Sequence, residues 1–187
     1  FFIFLLFYFF NFEKYTNLFS TDYRVFYNPR GLLIVQNLLD FKLDDINFLN
    51  FYFLPQLITG IFLKITTNEF YFSILSNIVN IFLLFFSFYF FLSTFKTKNK
   101  NKITLIFLIV FFLYKANWEW CFWKLADIYF LFVCSLVFYF LSKGIEKQNK
   151  LKLLYVILFT ALSFITKPNS IILIPFIISS IFLFFFY

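Results

Sequence analysis

No Asp, Glu, Lys or Arg occurs in residues 70–95, a run long enough to cross the roughly 30 Å hydrocarbon core of a bilayer with some tilt. Five more apolar runs accompany it, at 1–12, 103–118 (taking Lys115 as a snorkelling residue), 123–142, 151–166 and 170–187. Together they bring the 187 residues to 63% hydrophobic and 13% charged, against about 45–50% and about 25% in soluble domains. A soluble fold of about 150 residues still exposes roughly 30% of its unfolded chain's surface, so it has no means of hiding this much apolar area. A cytosolic globular enzyme, a disordered tail and a nucleic-acid-binding module are excluded. The pattern predicts an all-α fold, a polytopic transmembrane helical bundle integral to a membrane.

Absences narrow the chemistry. The chain has no Met and opens and closes inside apolar runs, so it is expected to be the N-terminal fragment of a longer protein. It has no His, which removes histidine acid–base catalysis and the commonest zinc and haem ligand. Cys121 and Cys134 stand thirteen positions apart, about 20 Å on one helix and beyond disulfide reach.

The net charge of +7 would suit a polyanionic partner, but its placement points to topology. Eight of the sixteen basic residues form two short clusters: Lys96, Lys98, Lys100 and Lys102, then Lys143, Lys147, Lys150 and Lys152. Such clusters between apolar runs belong on the cytoplasmic side. The spans 103–118 and 123–142 separate them, which puts both on one side and the start of 70–95 on the other. In 52–65, Leu54, Leu57, Ile58, Ile61, Phe62 and Ile65 form one helical stripe, with Gln56, Thr59, Gly60 and Lys64 opposite. A one-sided helix this short is expected to lie juxtamembrane, in the interface, rather than cross. Residues 13–50 then make a long outer loop, with partial order expected from its aromatic and aliphatic residues.

Five of the nine acidic residues fall in that loop. Asp22, within Thr21-Asp22-Tyr23-Arg24-Val25-Phe26-Tyr27, suits accepting a proton from an attacking hydroxyl or orienting a cation. A helix N-cap or a solvated loop acid is the plainer role. Asp44 and Asp45 suit a divalent ion, or solvation and capping. The turn 115–124 holds all three tryptophans. It reads as an interfacial aromatic belt, or as a wall for a sugar or lipid head group with Glu119 as hydrogen-bond partner. Asp127 lies one turn into the next span, where ionisable groups usually face a cavity; an i,i+3 pair with Lys124 is the alternative. Lys167, in Thr166-Lys167-Pro168-Asn169 on the outer side, suits either a phosphate ligand or a snorkelling helix end.

In order along the chain, these features resemble the GT-C superfamily of integral-membrane glycosyltransferases. The likeness is to the dolichyl-phosphate-mannose-type protein mannosyltransferases and the bacterial lipid A aminoarabinose transferases. The outer-loop element at Asp22, the segment Tyr52-Phe53-Leu54-Pro55-Gln56-Leu57 and the turn Thr166-Lys167-Pro168 carry it. Gln56 stands where the family's Tyr-x-x-Pro-Pro-Leu element has its second proline, and Tyr23 where Glu often follows the Asp. The resemblance implies sugar transfer from a polyprenyl-phosphate donor to a lipid, glycan or protein acceptor at the outer (periplasmic or luminal) face. Asp22 would be the catalytic base, with Arg24, Tyr27, Glu119, Asp127 and Lys167 binding substrate, and Arg24 or Lys167 holding the leaving phosphate. Such transfer needs no cofactor, a divalent cation being the one open addition. The membrane would be a bacterial inner membrane, or the endoplasmic reticulum in a eukaryote. A transporter or lipid flippase, with ionisable groups along a midplane path, is the alternative, and a non-catalytic assembly subunit a third.

Overall fold

The computed structural model describes residues 28–48, 52–66, 68–95, 98–113, 126–146, 149–175, 177, 178 and 182. Among them there are helices and turns and no strand. The α-helices of the described residues are α1 (Asn28–Leu39), α2 (Phe53–Ile65), α3 (Glu69–Thr94), α4 (Lys100–Leu113), α5 (Ala126–Glu146) and α6 (Lys150–Phe164). Single 3-10 turns lie at Leu43–Asp45 and Pro168–Ile172. Two stretches, Tyr71–Thr94 and Ala126–Glu146, are long and apolar enough to cross a membrane, while Phe53–Ile65 and Leu151–Phe164 are shorter apolar helices.

Local chemistry sets the breaks. Pro29 and Pro55 sit in the first turns of α1 and α2, where a missing N–H costs nothing. Asn149 caps α6, its side-chain oxygen accepting the Lys152 N–H at 3.3 Å. The following Pro168 forces Lys167 out of the helical region, to φ −158° and ψ 139°, and so ends the helical run. Asn99, at φ 56°, turns the chain from α3 into α4 in the left-handed region that asparagine tolerates.

Several boundaries differ from the sequence reading. α1 lies within the stretch taken as an outer loop. α5 continues past 142 because Lys143 and Gly144 remain helical. The span expected at 1–12 and the end of the one at 103–118 lie outside the described residues.

The chain divides into two compact units. Among described residues, the first holds α1, α2 from Leu54, and α3 as far as Phe82. There α1 and α2 cross backbone against backbone. A Cβ on Gly31 would run into the Gln56 carbonyl oxygen and stand 2.9 Å from the Gly60 nitrogen. A Cβ on Gly60 would run into the Gly31 carbonyl and stand 2.9 Å from Val35 Cγ2. The polar positions of α2 therefore divide: Gln56, Thr59 and Gly60 are buried and Lys64 is exposed, as are Ile61 and Ile65 of the apolar stripe. The glycine pair decides it, because only residues without a side chain admit so close an approach. In α3, Ser73, Ser76, Asn77 and Asn80 are buried on one face, and Tyr71 and Phe82 are exposed.

The second unit holds α3 from Leu83, α4 as far as Ile109, and the described residues from Ala126 onward. α5 and α6 form a hairpin around Val137, Leu141, Val156, Leu173 and Ile177. Phe140 and Phe159 stack across it, 5.5 Å apart and 12° from parallel. α3 joins through Phe90 against Tyr139 at 5.3 Å, and through the Ser142 hydroxyl, which donates to the Thr94 carbonyl at 3.3 Å. α4 joins α3 through Phe88 and Phe107, 4.0 Å apart.

Here too several small polar residues are buried while some large aromatics are exposed. Ser87, Ser93, Ser135, Ser163, Thr166 and Ser170 are buried, while Phe86, Phe91 and Phe95 are exposed. The hydroxyls need no water, since they bond within their own helices: Ser87 to the Leu83 carbonyl at 2.6 Å, Ser93 to Tyr89 at 2.7 Å, Thr166 to Leu162 at 2.7 Å.

Candidate functional site

Among the residues singled out in the sequence, the structure brings two together, Asp127 and Lys167. Asp127 is the second residue of α5, in the first turn, where the helix dipole favours a carboxylate. Lys167 caps the 3-10 turn that follows α6. Its ammonium donates to Asp127 Oδ1, closing an ion pair between residues forty apart in sequence.

The lysine is held from both sides of its own backbone. Its N–H donates to the Ser163 carbonyl at 3.0 Å, and its carbonyl accepts the Ser170 N–H at 3.2 Å. The Ser170 hydroxyl donates to the same carbonyl at 2.6 Å. Ser163, Thr166 and Ser170 are fully buried beneath it. The side chains of the pair are neither immersed nor free, at 31% exposure for Asp127 and 20% for Lys167.

This geometry defines what the pair can do. An ammonium has three N–H donors, and the bond to Asp127 takes one. The others remain for an anionic or hydroxylic oxygen, and the carboxylate keeps a second oxygen as acceptor. A phosphate arriving at Lys167 would compete with a carboxylate already in place, which makes the site exchangeable rather than permanently neutral. The pair stands about 24 Å along α5 from Lys143, at the opposite end of that helix from the lysine-rich turns.

Asp22, Arg24, Tyr27 and Glu119 lie outside the described residues, as do Lys124 and the three tryptophans. Asp44 and Asp45 sit in an exposed 3-10 turn, beside a surface contact of 3.9 Å between Asp40 and Lys42. Among the described residues, no three metal-ligating side chains gather into a group. The sequence reading missed the buried residues Ser163, Thr166 and Ser170 around Lys167, which lie on either side of the break at Pro168 and so share no helical face that a periodicity could reveal. It also missed Gln56, whose side-chain atoms are buried with no hydrogen bond among the described residues.

No family model, no curated protein and no solved structure matches the chain.

Proposed function

We propose that this chain is a multi-pass integral-membrane glycosyltransferase, moving a sugar from a polyprenyl-phosphate donor to an acceptor hydroxyl at the outer face of its membrane. Two span-length helices, with hydroxyls and amides inside and phenylalanines outside, support the embedding. The observation that carries the transferase reading is the Asp127–Lys167 pair. It is a braced ammonium with donors to spare, at the end of a span and within the Thr-Lys-Pro turn that resembles the GT-C element.

In the proposed reaction the acceptor oxygen attacks the anomeric carbon of the donor sugar, and the bond from that carbon to the phosphate oxygen breaks. The acceptor proton passes to the Asp22 carboxylate, and the bonding pair leaves with the polyprenyl phosphate. Lys167 stabilises the charge gathering on that phosphate, Arg24 assists by its bidentate fork, and Tyr27 and Glu119 contact the sugar. Asp127 positions the ammonium until the phosphate arrives. The acceptor is a lipid, glycan or protein. The membrane is a bacterial inner membrane, or the endoplasmic reticulum in a eukaryote.

The test is sugar transfer from a labelled polyprenyl-phosphate donor by the full chain in vesicles. Asp22→Asn is expected to lower turnover by about 10²–10⁴-fold and Lys167→Gln by about 10²–10³-fold, with membrane yield unchanged. Turnover retained in both variants overturns the reading.

One observation favours a transporter or flippase as the second reading. Ser73, Ser76, Asn77 and Asn80 form a buried polar stripe on α3 within the first unit, the kind of face that lines a path through a bilayer. Flux of lipid-linked sugar across vesicles containing no acceptor, without covalent transfer, would select it.

A further inference from the structure

The end of the second unit remote from the Asp127–Lys167 pair carries a different arrangement. The Ser142–Thr94 hydrogen bond brings the C-terminal ends of α5 and α3 together. The Asn149 N–H donates to the Gly144 carbonyl at 3.0 Å, which starts α6 beside the end of α5. α4 starts a short turn after α3. Four helix ends therefore gather within one unit. They bring with them Lys98, Lys100, Lys102, Lys143 and Lys152, against a single carboxylate among the described residues there, Glu146.

The described residues neutralise little of this charge. Glu146 is taken by Lys143 at 3.0 Å. Lys100 lies over the Tyr89 ring, 5.2 Å from its centroid. Lys98, Lys102 and Lys152 make no ion pair among the described residues, and neither α4 nor α6 has an acidic residue in its first turn. Directly along the helices from these lysines, the exposed surface turns apolar, at Phe91, Phe95, Ile103, Ile106 and Leu151. A cationic rim above an apolar wall complements a molecule with an anionic head and hydrocarbon tails.

We infer that this end of the second unit binds anionic phospholipid, the lysines holding headgroup phosphates while the apolar wall takes the acyl chains. Positive charge that only set topology would need to face the cytoplasm and nothing more. Here five lysines from three helices and a turn lie at helix ends that gather in one unit, three of them with no ion pair among the described residues, so they can act on neighbouring headgroups. The inference rests on the membrane-embedded reading and is independent of the sugar chemistry.

The test uses the full chain in vesicles of equal phosphatidylglycerol and phosphatidylcholine, purified in mild detergent, with the retained lipid quantified by mass spectrometry. Retained phosphatidylglycerol is expected in about fivefold excess over phosphatidylcholine, which corresponds to the contribution of one lysine near the surface. The variant Lys98→Gln/Lys102→Gln/Lys152→Gln, which removes the three lysines without an ion pair, should lower the ratio most of the way to that of the vesicles. The matching triple replacement by Arg should keep the excess, and free glycerol phosphate should not displace the lipid. A ratio equal to the input in the unaltered chain, or an excess unchanged by the glutamine variant, overturns the lipid site alone. Extraction of the chain from its vesicles by alkaline carbonate overturns the embedding, and the lipid site with it.

Discussion

At the scale of single residues, the Asp127–Lys167 pair separates what is structural from what is chemical. Asp127→Asn leaves the ammonium without its charged acceptor and is expected to cost about 1–3 kcal/mol, read from thermal unfolding in detergent. Combining it with Lys167→Gln should cost less than the two single losses added together, because the second change removes the charge that the first left stranded. Additive losses would mean that the two side chains do not act on each other. Little of this was legible beforehand. Each residue drew notice for its own surroundings, Asp127 as an acid inside a span and Lys167 as a lysine on the outer side. Nothing local in either stretch announces a partner forty positions away. The Ser170 hydroxyl that braces the lysine's carbonyl was equally silent, since a serine in an apolar stretch reads as filler until its burial is known.

Among the elements, the α1–α2 crossing is the least forgiving contact. Gly60→Ala drives a methyl group into the Gly31 carbonyl, a backbone atom that cannot swing aside, and is expected to cost about 1–3 kcal/mol in the same assay. Gly144→Ala is the internal comparison. Its new methyl meets Leu153 Cδ2 at 3.0 Å, the far end of a flexible side chain, and alanine favours the helix. Its effect should stay under about 1 kcal/mol. Ser142→Ala, which removes the link to Thr94, should cost about 0.5–1.5 kcal/mol, while Ser87→Ala, which loses only a bond within its own helix, should be close to neutral. The contrast between α3 and α2 shows what sequence pattern can resolve. An unbroken uncharged run admits one secondary structure and one broad use, so α3 was legible almost to its ends. A helical stripe locates two faces of α2 but assigns the polar one to water by convention. Two glycines almost thirty residues apart draw Gln56, Thr59 and Gly60 inside while Lys64 stays exposed, and only packing shows that they meet.

For the molecule as a whole, the second unit presents two unlike ends, a lysine rim and a neutralised ion pair, with α5 running between them for about 30 Å. That length matches the hydrocarbon core of a bilayer. Cysteines introduced at Lys98 and at Asn169, both exposed, are therefore expected to react with an impermeant thiol reagent from opposite sides of the membrane, in a background lacking Cys121 and Cys134. Labelling of both from one side would remove the basis for the outer-face chemistry. The outward placement of the aromatic rings has a further consequence. In a bilayer, the exposed faces of Phe86, Phe91 and Phe95 would meet acyl chains, where leucine is accepted about as well as phenylalanine. Exposed phenylalanines of this kind are thus free to drift toward other apolar residues, whereas Gly31 and Gly60, backbone against backbone, admit no side chain at all.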